Sequence, residues 1–167
     1  MKKILVLGPS GAGKTHLSTV LKEYGLNAVD VDSIKGLHGW YDVKGNEVVF
    51  PRDAEKEFFD NHSFLWNREA LVNYLKKNPD VYLFGMSGNA FDMLDLFDKV
   101  YYLDVPENLI RERLQHSSRI NPTGKTPYQR EVAVEWAKLI KERANDLGLT
   151  FIDAALTPEE LYKLIKN

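Results

Sequence analysis

Residues 8–15 read Gly8-Pro9-Ser10-Gly11-Ala12-Gly13-Lys14-Thr15, and this stretch is the most specific motif of the sequence. It matches the pattern G-x-x-x-x-G-K-[ST], follows the apolar run 4–7 and precedes the amphipathic segment 16–24. A strand, a glycine-rich turn and a helix in this order form a phosphate-binding loop, because backbone N–H groups and the helix N-terminus point toward an anion. The alternative is a glycine-rich turn that binds nothing.

Each residue type in this loop suits a nucleotide with its magnesium ion. Lys14 is expected to reach the β- and γ-phosphates, and Thr15 to offer its hydroxyl to Mg²⁺. The residues assigned to the phosphates are Gly8, Ser10, Gly11, Ala12, Gly13, Lys14, Thr15 and His16. The expected ligands are therefore ATP and Mg²⁺.

Composition limits the other possibilities. The chain has 167 residues, 44% of them apolar, which suits one domain over 1–167. The absence of Cys excludes disulfides and thiol catalysis. A net charge of -2 gives no general basic field for nucleic acid. The apolar run 4–7 is far shorter than the roughly 20 residues of a membrane span, so we expect a cytoplasmic protein with no signal peptide and no membrane contact.

The hydrophobic pattern predicts an α/β protein. Strands are expected at 4–7, 28–31, 81–84, 100–103 and 150–152, each followed by a segment long enough for a helix. Strands that are apolar throughout favour a doubly wound parallel sheet of five strands with flanking helices. Ligands of such sheets bind beyond the carboxyl ends of the strands, so the loops after the strands are the candidate site.

Two stretches interrupt this alternation. Residues 40–50 predict a small hairpin with its turn at Gly45, inside an acceptor-side excursion over about 34–70. Residues 117–127 carry two prolines and Gly124 between helical segments, which predicts a short lid. A helix over 128–147 is expected to end at Gly148.

With these motifs, the chain resembles the small P-loop kinases: the nucleoside monophosphate kinase, shikimate kinase and gluconate kinase group. The resemblance spans nearly the whole chain and implies the P-loop NTPase fold with strand order 2-3-1-4-5. It rests on residues 8–15, 30–33, 110–114 and 151–161, of which the first stretch alone is specific. The hairpin and lid are similar to a branch described only as ATP-binding and kinase-like.

Two carboxylates follow the second predicted strand. Asp30 and Asp32 lie two residues apart, so both side chains are expected on one side of the strand, facing the cleft. One carboxylate can hold a Mg²⁺-bound water, and the other can accept the proton of an acceptor hydroxyl. Resemblance to shikimate kinase places Asp30 nearer the metal and Asp32 nearer the acceptor. A helix cap at Asp32 or Ser33 is the alternative.

The loop after Phe84 has small residues that permit close approach of a ligand, and we assign Gly85 and Ser87 to the acceptor. Nucleoside monophosphate kinases carry an acid and then an Arg here; this loop has neither, which weakens an AMP-like acceptor. A plain strand-to-helix turn capped by Asn89 is the alternative.

Arginines are expected around the nucleotide. In the resembled group, helix and lid arginines contact base and phosphate, which implies Arg113 for adenine or phosphate and Arg119 for the γ-phosphoryl group. Ala155 lies in the stretch that matches the base-contacting loop. Surface ion pairs are the alternative for both arginines.

Aromatic residues cluster between Trp40 and Trp66, and they form either an acceptor pocket with Arg68 as anchor or a small core. The four His residues have no metal-ligand spacing, and His38 is the one near Asp32 in sequence.

These residues predict an ATP- and Mg²⁺-dependent phosphotransferase with a small-molecule or nucleotide acceptor, in which Lys14, Asp32 and Arg119 are catalytic. The alternative is an ATP-binding sensor that transfers nothing. The sequence leaves open the acceptor, the donor base and whether the protein is a monomer or homodimer.

Overall fold

The computed structural model describes residues 1–116 and 124–167, in two sheets with helices around them. The strands are β1 (Lys3–Leu7), β2 (Ala28–Asp30), β3 (His38–Asp42), β4 (Glu47–Val48), β5 (His62–Trp66), β6 (Val81–Gly85), β7 (Lys99–Asp104) and β8 (Thr150–Asp153). The helices are α1 (Lys14–Glu23), α2 (Lys56–Asn61), α3 (Arg68–Lys77), α4 (Glu107–Gln115), α5 (Pro127–Asp146) and α6 (Pro158–Lys166), with 3₁₀ helices at Val31–Ser33 and Ala90–Leu96.

The larger sheet is parallel throughout and has the order β2-β6-β1-β7-β8. The predicted fold class is confirmed. The expected order 2-3-1-4-5 is this order when the five strands of the large sheet are counted alone. The labels differ in the full numbering because β3, β4 and β5 form a separate sheet between the second and third of these strands.

The large sheet is buried on both faces, as its apolar strands require. In β1, Ile4 and Val6 pack into one core and Leu5 and Leu7 into the other, because successive side chains of a strand point to opposite faces. All four are at most 2% exposed. This two-sided core fixes the carboxyl edge of the sheet.

The parallel register brings the strand ends together at that edge. Leu7 pairs with Gly85 on one side and Tyr102 on the other, and Asp30 pairs with Phe84. The phosphate-binding loop after β1 and the acidic turn after β2 therefore lie on the same side of the molecule.

The smaller sheet is antiparallel, in the order β4-β3-β5. The predicted hairpin is present as β3 and β4, and Gly45 has the left-handed backbone (φ 84°) that its turn requires. Strand β5 was not predicted, because residues 62–66 lie among aromatic residues whose spacing fits a helix as well as a strand. Its pairing with β3 is long-range and leaves no local signal.

Short 3₁₀ helices follow β2 and β6, where longer helices were expected. The carboxylate of Asp30 accepts a hydrogen bond from the backbone N–H of Asp32, which ends β2 at Asp30 and starts the 3₁₀ turn Val31–Ser33. The segment after β6 is the 3₁₀ helix Ala90–Leu96 instead of an α-helix. No helix within 1–116 or 124–167 is long and apolar enough to cross a membrane.

Candidate functional site

The loop between β1 and α1 has the backbone of an anion cradle. Gly11 and Gly13 have φ angles of 83° and 86°, which L side chains rarely adopt, so glycine is required at both positions. The Lys14 ammonium group donates to the carbonyls of Gly8 (2.6 Å) and Pro9 (2.7 Å), which folds this side chain back over the loop. The first turn of a helix presents N–H groups without intrahelical acceptors, and α1 begins at Lys14.

Two hard oxygen donors meet beside this loop. The Thr15 hydroxyl donates a hydrogen bond to the Asp30 carboxylate, across the gap between α1 and β2. Oxygen ligands of this kind suit Mg²⁺, which usually takes one or two protein groups and completes its shell with phosphate oxygens and water. No group of three or more His, Asp or Glu in the part of the chain that the structure describes is arranged to hold a metal alone. The pair therefore fits a magnesium ion that arrives with a nucleotide.

The local structure around Asp32 differs from the predicted one. The expectation that alternation along a strand would align Asp30 and Asp32 was wrong, because the strand ends at Asp30 and Asp32 lies in the 3₁₀ turn. The surrounding protein atoms and then the Asp30 charge raise the pKa of Asp32, against smaller opposing effects of His38 and Lys14. The residue remains open to solvent, so its carboxylate is crowded but accessible.

His38, at the start of β3, lies beside Asp32. The sequence placed the two residues close together along the chain but assigned no role to His38. Its Nε2 lies 3.0 Å from the Asp32 carbonyl oxygen, and its ring lies 5.4 Å from that of Phe64. Sequence proximity to Asp32 was the one signal available for it. The long-range pairing of β3 with β5 supplies the rest of its surroundings.

The loop after β6 has a packing role. A Cβ at Gly85 would lie 2.8 Å from the Trp66 ring and 2.9 Å from Val31, so glycine there admits these two side chains. Ser87 is fully buried and donates to Asn89, whose amide also bonds the backbone N–H and carbonyl of Trp66. Both residues are enclosed by protein atoms, which favours a packing role, so their assignment to the acceptor gains no support here and stays a prediction.

The arginines of α4 have different partners. Arg113 donates from Nη1 to the carbonyl of Gly11 at 3.0 Å, which brings its guanidinium group onto the phosphate-binding loop. Arg111 instead pairs with Glu107 and Glu131 on the surface. Arg119 lies outside the described residues, so its role stays a prediction.

Arg68 is occupied by an ion pair at the start of α3. Its guanidinium group binds the Asp95 carboxylate and donates to the Asp92 carbonyl at 2.9 Å. These contacts tie α3 to the 3₁₀ helix Ala90–Leu96 and favour a structural role. The prediction that Arg68 anchors the acceptor gains no support from them.

Gln129 was missed by the sequence analysis. It is 2% exposed, and its amide nitrogen donates to the carbonyls of Arg52 (2.9 Å) and Ala54 (3.2 Å). Its amide oxygen accepts from the backbone N–H of Lys125 at 3.0 Å. A buried Gln thus joins the start of α5 to the segment before α2, and nothing in the local sequence signals it.

The aromatic residues of the excursion pack on one another. Trp40 has its ring centroid 5.1–5.9 Å from those of Phe50, Phe58, Phe59 and Phe64. The side chains are half-buried, as in a small core. The core alternative therefore accounts for these rings.

A surface cavity of about 560 Å³ is lined by Asp53, Glu55 and Glu57 together with Phe58 and other residues of 51–62. Its acidic lining does not suit a phosphate group.

Ala155 follows β8, with its backbone N–H bonded to the Asp153 carboxylate at 2.8 Å, and its contact with a base stays a prediction.

The family relationship agrees with this geometry. A family model described as "AAA domain" matches residues 4–135, which include the phosphate-binding loop, Asp30 and Arg113. The chain belongs to this AAA domain family. A comparison with curated proteins gives no match.

Three kinases are among the solved structures that share this fold. Shikimate kinase from Bacteroides thetaiotaomicron has a TM-score of 0.57 at 16% identity, with 98% of each chain covered. Shikimate kinase from Acinetobacter baumannii, in complex with shikimate, has a TM-score of 0.57 at 17% identity over 99% of this chain and 91% of that one. A gluconokinase from Sinorhizobium meliloti 1021 has a TM-score of 0.53 at 15% identity over 97% and 87%. At these identities the likeness establishes the fold, and it agrees with the family resemblance stated from the sequence.

Proposed function

We propose that this AAA domain protein is an ATP- and Mg²⁺-dependent phosphotransferase for a small-molecule or nucleotide acceptor. The observation that carries the proposal is the meeting of Thr15 with Asp30 beside the glycine-rich loop, with the raised-pKa carboxylate of Asp32 next to them. The kinase fold of the compared structures supports it.

Each residue has a role in positioning or charge compensation. Backbone N–H groups of residues 10–15 hold the phosphates, and Lys14 exchanges its carbonyl partners for phosphate oxygens. Thr15 and Asp30 hold Mg²⁺, directly or through water, and the ion supplies charge neutralisation for the transferred phosphoryl group. Arg113 supports the loop at Gly11.

Asp32 acts as the proton acceptor. It orients the acceptor hydroxyl and takes its proton as the oxygen attacks the γ-phosphorus and the bond to the β-phosphate oxygen breaks. The raised pKa makes this carboxylate a better base than an ordinary Asp. Phosphorylated acceptor and ADP are the products.

The second candidate is an ATP-binding sensor. The observation that favours it is the loop after β6, residues 85–89, in which Gly85 and Ser87 are buried and which contains no acid and no Arg. A sensor binds Mg-ATP through the same loop and forms no phosphorylated product.

The test is ADP formation from Mg-ATP with nucleosides, nucleoside monophosphates, sugars and sugar acids as acceptors, with Lys14→Ala as the blank. The phosphotransferase gives acceptor-dependent ADP that disappears in folded Lys14→Ala. Normal turnover by that variant contradicts the proposal. Tight Mg-ATP binding with no acceptor-dependent ADP favours the sensor.

A further inference from the structure

We propose that His38 is a positioning residue for phosphoryl transfer: its imidazole N–H binds the backbone carbonyl of Asp32 and so fixes the direction of the carboxylate that acts as the base. The proposal rests on the phosphotransferase function and adds a residue of the small sheet to it. His38 is assigned to neither the nucleotide nor the acceptor, and its effect on the reaction passes through Asp32.

Both backbone polar groups of Asp32 are bound by side chains. Its N–H donates to the Asp30 carboxylate at 2.9 Å, and its carbonyl oxygen lies 3.0 Å from Nε2 of His38. A carbonyl oxygen can only accept a hydrogen bond, so Nε2 of His38 carries a proton and is the donor. Asp30 therefore holds this residue from the large sheet, and His38 holds it from the small sheet.

The direction of the Asp32 side chain depends on these backbone contacts. The residue is exposed, and its carboxylate makes no hydrogen bond to the residues that the structure describes. It lies in the short turn Val31–Ser33, which is closed by the N–H of Ile34 on the Val31 carbonyl. Hydrogen bonds of 3₁₀ turns have poorer geometry than those of α-helices, so the bond from His38 is a substantial part of what stabilises this turn.

His38 is itself held in place by the small sheet. Leu37 before it is fully buried, and the Leu37 carbonyl accepts from the backbone N–H of Asn67 at 2.7 Å. The His38 ring lies 5.4 Å from the ring of Phe64 on the paired strand β5. The Phe64 carbonyl in turn accepts from the N–H of Gly88, in the loop after β6, at 2.8 Å. The donor to Asp32 is therefore anchored to the large sheet as well.

The position of Asp32 matters because a general base must lie within hydrogen-bond reach of the proton that it takes. A displacement of about 1 Å can lower the rate about 100-fold. Removal of the His38 N–H frees the carbonyl end of Asp32 and allows such a displacement. Residues 8–15, which are proposed to hold ATP, do not depend on this contact, so the loss is expected in kcat and not in the KM for ATP.

Three variants of His38 separate its possible roles. His38→Phe keeps a ring against Phe64 but has no N–H. His38→Gln carries an amide N–H the same number of bonds from Cα as Nε2 of His, and His38→Asn carries it nearer to the backbone. Gln is uncharged, so it also separates position from charge, since a charge on His38 acts on Asp32. His62→Phe is the control, because His62 pairs with Asp42 at the other end of the same sheet.

The kinetic test measures ADP formation from Mg-ATP with adenosine, AMP, glucose and gluconate as acceptors, and thermal unfolding checks that each variant is folded. We expect His38→Phe and His38→Asn to lower kcat about 10- to 100-fold with an unchanged KM for ATP. His38→Gln should recover most of kcat, and His62→Phe should match wild type. An unchanged kcat in folded His38→Phe overturns the proposal, and so does a His38→Gln protein as slow as His38→Phe.

NMR tests the contact without any acceptor. Backbone ¹⁵N relaxation at Asp32 and Ser33 should give order parameters of about 0.85 in wild type and His38→Gln, as for a rigid backbone, and lower values in His38→Phe. Equal order parameters in wild type and His38→Phe overturn the proposal. The ¹⁵N shifts of the His38 ring should show a proton on Nε2, and an unprotonated Nε2 overturns it as well.

Failure of this proposal is distinguishable from failure of the proposed function. Lys14-dependent ADP formation that is equally fast in wild type and His38→Phe leaves the phosphotransferase correct and the positioning role wrong. A protein that binds Mg-ATP and forms no ADP with any of the acceptors overturns the function and with it the role of His38 in transfer, even where the turn loosens in His38→Phe.

Discussion

The Thr15 hydroxyl at the start of α1 donates a hydrogen bond to the Asp30 carboxylate at the end of β2. In the sheet, β6 lies between β2 and β1, the strand that precedes α1, and the parallel register brings the carboxyl ends of β1 and β2 to one edge. Asp30 also caps the 3₁₀ turn that carries Asp32. One carboxylate therefore links the phosphate-binding loop to the proposed base.

Thr15→Ala should weaken Mg²⁺-dependent nucleotide binding by about 10- to 100-fold, because the hydroxyl is the first of two protein oxygens proposed to hold the ion. Titration calorimetry of ATP with Mg²⁺ and with EDTA measures the effect. Thr15→Ser retains the hydroxyl and is the matched control. Equal Mg²⁺ dependence in Thr15→Ala and wild type would show that Thr15 does not hold the ion.

Asp32→Asn should lower phosphoryl transfer about 10²- to 10⁴-fold, the usual contribution of a general base, and at the same time raise the Tm at neutral pH. The sign follows from the pKa, which folding raises. The folded state then binds the proton more tightly than the unfolded chain, so the wild-type protein loses stability as pH rises through the window between the ordinary and the raised pKa.

Thermal unfolding of wild type and Asp32→Asn between acidic and neutral pH tests this sign. The variant should gain stability relative to wild type above that window and show no gain below it. Asp53→Asn is the control at an exposed carboxylate outside the site. An Asp32→Asn protein that is less stable than wild type at neutral pH would show that folding does not raise the pKa of Asp32.

Arg113→Ala should weaken ATP binding about tenfold or more, because it removes the charge-assisted hydrogen bond to the Gly11 carbonyl on the phosphate-binding loop. Arg111→Ala is the matched control on the same helix, since Arg111 pairs with Glu107 and Glu131 instead. Fluorescence titration of both variants with Mg-ATP gives the comparison. Equal losses of ATP affinity in the two variants would mean that the loss of a positive charge weakens binding, and not the loss of the hydrogen bond to Gly11.

Gln129→Ala should reduce the free energy of unfolding by about 1–3 kcal/mol, because it removes the three hydrogen bonds that the buried Gln129 side chain makes with the backbone of Arg52, Ala54 and Lys125. Urea unfolding measures this loss. Gln115→Ala, at an exposed Gln at the end of α4, is the control and should change stability by less than about 0.5 kcal/mol. A Gln129→Ala protein as stable as wild type would show that α5 and the segment before α2 do not depend on this contact.

The fold was predictable from local signals. Continuous apolar runs gave the five strands of the large sheet, and the glycine pattern of residues 8–15 gave the turn between β1 and α1. These features are short-range: each depends on residues within one strand or one turn. The start of α5 at Pro127 and its capping Thr126 likewise follow from adjacent residues.

The acceptor side depends on contacts that are remote in sequence. Trp66 fits against Gly85, Gln129 reaches Arg52, and β5 pairs with β3. None of these contacts leaves a periodic pattern, so the packing of Trp66 against Gly85 could not be predicted from the sequence. The position of Asp30 at the end of the second strand was predicted, but the 3₁₀ turn that carries Asp32, which the Asp30 cap starts, was not.

Transfer of the γ-phosphoryl group to an acceptor hydroxyl is measured most directly as label transfer from γ-³²P-ATP with Mg²⁺ in wild type, Lys14→Ala and Asp32→Asn. We expect a labelled acceptor in the wild type, none in Lys14→Ala, and a rate at least about 100-fold lower in Asp32→Asn with ATP binding retained. Label that appears only as inorganic phosphate across the acceptor panel, or equal labelling of the acceptor by all three proteins, would contradict it.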